Sequence, residues 1–361
     1  MTGRWVVLEP LDVVTVRDGR AFDMGVDAVG RMALPSPATF AGAIGAAYGA
    51  APGLARKDPG TRGALLPAQV HGPVVVRRDD DSGWEAMLPV PADVLLSPDG
   101  EPYRLAADRQ LAGVEHDLDS QVAMLLTGAE VGGASAEDRW WDAGQLQEYL
   151  DDGEVSGFWL PDPWQVERRV GIARGDDRTV TEGMFYSSEY LRAATGVGFA
   201  GRCIGGPDRA LGGTVPFGGK GRRAEVHAGI ADVGLPAAPT QFPGGRLLLY
   251  LATPAVFPGG SWHPDLSAWP AECGTAELAA AAVGATRVIT TGTPDRKTGS
   301  FGSGAVMWAV PAGSVYYLRL PDEATARAAA AHLHGTTLRQ AEDWMTTAGF
   351  GLVLAGRWTE G

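Results

Sequence analysis

Asparagine is absent from this 361-residue chain, and lysine occurs only at positions 57, 220 and 297. Arginine carries the rest of the positive charge, a bias expected of GC-rich coding DNA rather than of function. Cysteine is almost missing. Cys203 and Cys273 have no metal-ligand spacing and build no disulfide framework, so a reduced, cytoplasmic setting is expected. No run of 18 uncharged apolar residues occurs, which predicts no membrane span. The opening MTGRWVVLEPLD places a charge and a proline where a signal peptide needs an apolar stretch. The motifs of common chemistries are missing too. GGKGRR lacks Walker A spacing, GFGLVLAG precedes no helix as a dinucleotide fingerprint must, and no Gly-x-Ser-x-Gly elbow occurs. His332 and His334, at i and i+2, do not share a helical face and read as exposed helix-end residues. His71, His116, His227 and His263 stand without a visible partner in the sequence. By motif the chain is no enzyme, and neither a cofactor nor a metal is expected.

What is there begins with charge. The formal net charge is -13, yet between Glu115 and Glu154 eleven carboxylates face one cation, Arg139. That stretch alone supplies most of the acidity. It reads either as a solvated insertion or as a face for a basic protein. Screening cuts charge interactions off at roughly 10 Å, so an anionic ligand elsewhere on the chain is not excluded.

The length suits two domains. In the last third, RLLLYLATPAVF (246–257) reads as a strand and SWHPDLSAWPAE as partly helical. ATRVITTG (285–292) reads as a strand, and GAVMWAVPAGSVYYLRL (304–320) as two strand pieces or one bent at its proline. DEATARAAAAHLHGTTLRQAEDWMTT (322–347) is helical with a break at Gly335, and GFGLVLAGRW (349–358) closes as a strand. This order, βαββαβ, is that of the ferredoxin-like unit. The front repeats it loosely. GRWVVLEPLDVV is a strand, and Ser36 caps a helix with Pro37 at its first position. HGPVVVRR and WEAMLPVP form a strand pair, FYSSEYL and GFAGRCIG are strand candidates, and RAEVHAG closes. The expectation is an α+β protein of two ferredoxin-like (RRM-like) domains packed side by side, 1–239 and 240–361. An acidic insertion lies at about 100–157, and the seam falls in VGLPAAPTQFPGG.

Glycine-rich segments carrying cations mark the candidate chemistry: Arg17-Asp18-Gly19-Arg20, the loop Gly218-Gly219-Lys220-Gly221-Arg222-Arg223, the stretch holding Arg296 and Lys297, and GFGLVLAGRW with Gly349, Gly351 and Arg357. Glycine lets backbone N–H groups approach a phosphate, and arginine grips one bidentately. Phe217, Phe301 and Phe350 are candidates for stacking on bases. Against each loop stands the plain reading of a hairpin with a solvated cation, and against each phenylalanine a place in the core.

A family resemblance gathers these pieces. LEPLDVVTVRDGRAFDMG and GRMALPSPATFAGAIGAAYG resemble the start of subunit three of the type III-B CRISPR effector (Cmr) complex, of the RAMP superfamily, with Asp12, Arg17, Asp18, Gly19, Arg20, Phe22, Pro35, Pro37, Thr39 and Gly42 at matching places. VERRVGIARGDDRTVTEGMFYSSEYLR is similar to the family's central segment, and VPAGSVYYL to its proline-alanine-glycine strand start. GGKGRRAEV is similar to its Gly-Gly-Glu-Gly-Arg segment, with Lys220 where glutamate is usual, and GFGLVLAGRW to its C-terminal glycine loop. The chain departs at Arg-Ala-Phe for Arg-Pro-Phe, and residues 100–157 match nothing in the pattern. The resemblance implies a non-catalytic RNA-binding subunit that holds the repeat-derived 5′ tag of the CRISPR RNA, docks on a large polymerase-like subunit and neighbours other RAMP subunits. Carried onto this chain, the tag contacts are Arg17, Arg20, Ser36, Thr39 and the 218–223 and 349–356 loops, with the helix starting near Pro37 offering its N-terminus to a phosphate. The alternatives are a repeat-RNA endonuclease using a histidine such as His227, and a purely structural subunit.

Overall fold

The computed structural model describes residues 3–16, 34–49, 66–79, 83–108, 125–128, 133–174, 179–290 and 306–359. The first strand, β1 (Gly3–Pro10), is buried on both faces. Trp5 and Val7 enter one core, Val6 and Leu8 the other, as the twofold alternation of a strand requires. β1 pairs antiparallel with β13 (Val197–Ile204) and with β15 (Arg223–Ile230). Outward from β13 lie β3 (Gln69–Asp79), β4 (Gly83–Pro89) and β10 (Trp140–Asp142), and outward from β15 lies β14 (Thr214–Pro216), giving seven strands.

A second, five-stranded sheet has the order β17 (Glu277–Ala282), β20 (Val315–Arg319), β16 (Arg246–Leu251), β22 (Leu352–Arg357), β21 (Thr336–Thr337). Within each sheet four strands, β3-β13-β1-β15 and β17-β20-β16-β22, repeat one pattern: second, third, first, fourth in chain order, all antiparallel. The remaining strands are small additions. β2 (Val13–Val14) pairs with β12 (Val180–Ala193), which pairs along its length with β11 (Trp164–Arg174). β18 (Arg287–Thr290) pairs with β19 (Val306–Ala309). β5 (Val94–Leu96) lies between β6 (Pro102–Arg104) and β9 (Ala134–Ser135), and β7 (Ala106–Asp108) pairs with β8 (Leu125–Thr127). The result is a mixed structure, mostly antiparallel sheet with few helices.

The helices begin where side chains satisfy free N–H groups. Ser36 Oγ accepts from Thr39 N–H at the start of α1 (Pro37–Ala47). Asp142 and Gln145 form a reciprocal capping box at α2 (Ala143–Asp152), which ends on Gly153 in the left-handed region. Asp322 caps α3 (Glu323–Leu333), and α4 (Asp343–Ala348) follows a two-residue strand.

Three expectations need correction. SWHPDLSAWPAE holds only short 3-10 turns, so no α-helix joins the first and second strands of the second sheet. ATRVITTG stays outside that sheet and pairs with Val306–Ala309 instead. The second strand is ELAAAA, whose alanines suit a helix by propensity but pair with Tyr317, Tyr316 and Val315 of β20, where small residues fit beside large ones. His334 is no exposed helix-end residue: its Nε2–H donates to Pro236 O at 2.9 Å and its Nδ1 accepts from Ala355 N–H at 3.0 Å.

α1 packs its Phe40, Ala43 and Ile44 on one face of the first sheet, and α3 packs Ala326, Ala329, Ala330 and Leu333 on one face of the second. The opposite faces share a single core. Trp5, Val7, Val74 and Val76 from the first sheet join Leu248, Tyr250, Tyr317 and Leu354 from the second. α2 enters the same core. Trp141, Leu146, Tyr149 and Leu150 are buried, and Leu150 lies so close to Gly356 that a Cβ there would stand 2.7 Å from it. The described part of the acidic stretch is therefore core-forming, not a solvated insertion. Within α2 the acids Glu148, Asp151 and Asp152 lie off the side on which Leu146, Tyr149 and Leu150 are buried.

Within this core Asp93 is fully buried and accepts from Arg104 Nε at 2.9 Å, from Tyr149 Oη at 2.8 Å and from Tyr317 Oη. The Arg104 guanidinium lies 4.3 Å from the Tyr149 ring centroid. Burial works against the Arg104 charge, but Tyr149, Asp93 and Tyr317 outweigh it and hold Arg104 well above its ordinary value; burial pushes the Tyr149 phenol well up. Arg104→Met leaves a buried carboxylate without its cation, and urea titration should show a loss of about 3–5 kcal/mol. Tyr317→Phe, which removes one donor to a charged group, should cost about 1.5–3 kcal/mol.

The two sheets also meet through histidine. His71 Nδ1–H and Arg202 Nη2–H both donate to Gly335 O, at 2.9 Å each. Burial, then the charge of Arg202, lowers His71; burial, with Arg202 contributing, lowers His334. A folded-state value below the unfolded one means that the unfolded chain binds more protons in that window. Stability from this source is therefore complete above the model-peptide value of about 6.5 and falls as pH drops below it. Urea titrations at about pH 8 and about pH 5.5 should give the lower stability in acid, with a slope of at most about 1.4 kcal/mol per pH unit for each histidine.

Candidate nucleic-acid interface

The loop that joins β14 to β15 is built by backbone contacts. Phe217 N–H donates to Arg222 O at 2.8 Å, and Gly219 N–H donates to Thr15 O at 2.7 Å. Gly218, at φ 81, presses on β2's exit: a Cβ there would lie 2.8 Å from Thr15 O. Lys220, at φ 55, is the only non-glycine residue with positive φ among the described residues. Such a conformation is costly for a side-chain-bearing residue and persists where surrounding contacts hold it. Here Lys220 Nζ donates to Tyr190 Oη at 3.1 Å.

β2 pairs with β12, placing Val13 opposite Arg192. This brings Asp12 within 3.2 Å of Arg192, 3.6 Å of Arg169 and into contact with Arg222. Glu167 accepts from Arg169 Nε at 2.6 Å and from Arg192 Nε. Arg169, Lys220 and Arg222 stand 4.9, 5.3 and 5.5 Å from the Tyr190 ring centroid. Four cations thus surround two carboxylates and one phenol, leaving a surplus of two positive charges on a partly exposed edge. Desolvation would raise the Asp12 carboxyl, but the Val13 N–H and the guanidiniums of Arg222, Arg169 and Arg192 outweigh it and hold it below the usual range. Hydrogen bonds from Arg192 and Arg169 lower Glu167, and the bond from Lys220 lowers Tyr190. Both carboxylates stay charged and orient the guanidiniums, whose remaining N–H donors suit phosphate oxygens.

Of the residues singled out in the sequence, Lys220 and Arg222 belong to this cluster. Arg223, exposed, donates to the side-chain and main-chain oxygens of Thr214. Gly221 has open space around it. Arg17, Arg20, Arg296, Lys297 and Phe301 lie outside the described residues. Thr15, beside Gly219, is two residues before Arg17 in the chain. Ser36 and Thr39 serve the α1 cap, their hydroxyl oxygens 3.2 Å apart. Arg357 is engaged elsewhere, donating to Asp151 O and the Asp152 carboxylate at the end of α2.

Several expectations are corrected by burial. Gly349 and Gly351 meet protein, not solvent: a Cβ on Gly349 would lie 2.2 Å from Gly72 O, and one on Gly351 2.2 Å from the Gln340 amide. Phe217 and Phe350 are buried, Phe217 tilted against Phe199 and Phe350 edge-on to Trp344, so neither ring is free to stack on a base. His227 has a partner that its sequence context hides: Nε2 lies 2.9 Å from Glu9 Oε2, an oxygen that also accepts from Arg78 at 2.6 Å. Ligand atoms of Glu9, Glu225 and His227 lie within 4.8 Å of one another, but a cation there would compete with Arg78 for Glu9.

Arg169, Arg192 and Tyr190 are the residues that sequence reasoning missed. Their signal is the twofold alternation of V-E-R-R-V and E-Y-L-R in β11 and β12, which register as Glu167 opposite Tyr190 and Arg168 opposite Glu189.

A family model described as CRISPR-associated protein (Cas_Cmr3) matches residues 6–358. The chain belongs to that family. The Cas_Cmr3 family is that of subunit three of the type III-B CRISPR effector (Cmr) complex, as the sequence resemblance implies. No curated protein matches the chain. Among solved structures, a chain of "Cryo-EM structure of the Type III-B Cmr-beta bound to cognate target RNA and AMPPnP, state 1" is similar at 17% identity and TM-score 0.46, covering 87% of this chain and 86% of that one. A chain of "Cryo-EM structure of the Type III-B Cmr-beta bound to cognate target RNA" is similar at 16% identity and TM-score 0.44, with the same coverage. No helix among the described residues is long and apolar enough to cross a membrane.

The loop's packing yields a comparison of two glycines in this Cas_Cmr3 family member. Gly221→Ala, at φ 70 in open space, should cost about 1–2 kcal/mol from backbone conformation alone. Gly218→Ala should cost more, because its methyl also strikes Thr15 O. Urea titration of both variants measures the difference.

Proposed function

We propose that this component of a type III CRISPR effector is a non-catalytic RNA-binding and assembly subunit. It holds the repeat-derived 5′ tag of the CRISPR RNA, docks on the large polymerase-like subunit and contacts neighbouring RAMP subunits in the cytoplasm. The observation that carries this reading is the convergence of Arg169, Arg192, Lys220 and Arg222 about Tyr190, a basic edge on a chain of net charge -13. A sugar-phosphate backbone is the ligand that such a surplus of oriented N–H donors suits. Family membership is what supports the docking and neighbour contacts in this reading. The strand order shared by the two sheets supports reading the chain as two ferredoxin-like domains, 1–239 and 240–361. The non-catalytic reading is supported by the one histidine–carboxylate pair considered as a base: Glu9, 2.9 Å from His227 Nε2, also accepts from Arg78 at 2.6 Å.

The test is binding of tag-containing RNA by the chain with its large partner across a salt series. Changing Lys220, Arg222 and Arg223 together to alanine should weaken binding and flatten the log–log salt slope by about 2, the single-strand value for three lost phosphate contacts. An unchanged slope and affinity would remove the loop from the RNA surface. Repeat RNA incubated with the chain should stay uncut. Site-specific cleavage that is lost in His227→Ala would replace the binding reading with an endonuclease.

A further inference from the structure

A 330 Å³ cavity opens where the two sheets meet, away from the Tyr190 cluster. Its first wall is a row across three neighbouring strands: Trp5 of β1 lies opposite Arg202 of β13, which lies opposite His71 of β3. The facing wall is His334, Gly335 and Leu354, with Leu235 and its neighbours from the connection between the sheets closing one side. The floor is apolar, for Trp5, Leu352 and Leu354 are all buried. The volume is in the range of small-molecule sites, and a largely apolar lining with a few fixed polar groups is their usual construction.

Arg202 is the polar group with donors left over. Its Nη2–H is spent on Gly335 O, and its Nε is buried with no acceptor. Among the described residues it meets no carboxylate, whereas Arg104, Arg222 and Arg357 each do. The flanking imidazoles offer it nothing, because both nitrogens of His71 and of His334 are committed to protein partners. Asp232, on the exposed rim, directs its carboxylate to Val233 N–H at 2.7 Å. A guanidinium therefore borders a ligand-sized, largely apolar cavity with no ion-pair partner among the described residues. Guanidinium in such a place pairs with carboxylate or phosphate. We infer that this cavity binds a small organic anion, its carboxylate or phosphate head on Arg202 and its apolar body against Trp5 and Leu354.

The probes are phenyl phosphate, benzoate and the neutral benzyl alcohol, each titrated into the full chain by ligand-observed NMR. At least one of the two anions should bind with Kd at or below about 1 mM, and benzyl alcohol about tenfold or more weakly than that anion. The tighter anion identifies the head group. Arg202→Gln should weaken anion binding about tenfold or more while leaving benzyl alcohol unchanged. Ala237→Trp, on the exposed side of the cavity, should block all three by filling the space. No anion binding below about 10 mM, equal affinity for alcohol and anions, or wild-type affinity in Arg202→Gln would each overturn the inference. If Arg202→Gln does not fold, Ala237→Trp decides: anion binding retained in that variant overturns it. None of these outcomes depends on RNA, so they stand or fall apart from tag binding.

Discussion

Asp93 is the point on which the two sheets, α2 and the middle of the chain agree. A carboxylate with no solvent contact is tolerated only when its lone pairs and its charge are both met. Arg104 supplies the charge from β6, Tyr149 donates from α2, and Tyr317 donates from β20 of the second sheet. These groups come from segments more than two hundred residues apart in the chain. The interaction has one arrangement that satisfies all partners, and that arrangement sets how the acidic segment, the first sheet and the second sheet meet. Tyr250 Oη, donating to Pro89 O at 2.7 Å, and Ala92 N–H, donating to Gly313 O at 2.9 Å, reinforce the same junction.

That junction has a consequence for nucleic-acid binding. The face of each sheet opposite α1 or α3 is spent on the core shared with α2 around Val7, Tyr250 and Tyr317. An open sheet face lined with aromatic rings is thus not available for bases, and Phe217 and Phe350 are core residues on the helix-bearing sides. Positive charge collects instead where β2, the β11–β12 hairpin and the 217–222 loop converge. The carboxylates of Asp12 and Glu167 do not cancel this surface. They fix the direction of guanidiniums that would otherwise swing freely, which reduces the entropy lost on meeting a ligand.

Much of the fold was legible in local chemistry. Ser36 with Pro37 announced α1, the alternation in HGPVVVRR and WEAMLPVP announced β3 and β4, and the alanine-rich 322–333 stretch announced α3. What stayed hidden was hidden for physical reasons. ELAAAA is a strand because β20 offers it partners and large side chains to fill beside, and a propensity scale does not contain that information. α2, in an acidic stretch, looked solvated because its five polar side chains, Gln145, Gln147, Glu148, Asp151 and Asp152, outnumber the three, Leu146, Tyr149 and Leu150, that decide where it packs. In the site, Lys220 and Arg222 stood out by their glycine-flanked context. Tyr190, Arg169 and Arg192 did not, because only register across a 30-residue hairpin brings them to the same loop.

The sequence by itself determined the helix caps, most strand positions, the glycine-borne loops and the family, because these rest on short-range chemistry and on ordered motifs. It also marked the 218–223 loop. The tertiary structure decided which of its cations converge, which glycines face protein backbone rather than ligand, and which aromatic rings are withdrawn into the core. It alone joined Asp93 to Tyr317, and set Arg202 at a cavity with no ion-pair partner among the described residues. Those outcomes depend on contacts between residues far apart in the chain, and the free energy of a buried charge is set by what surrounds it in space.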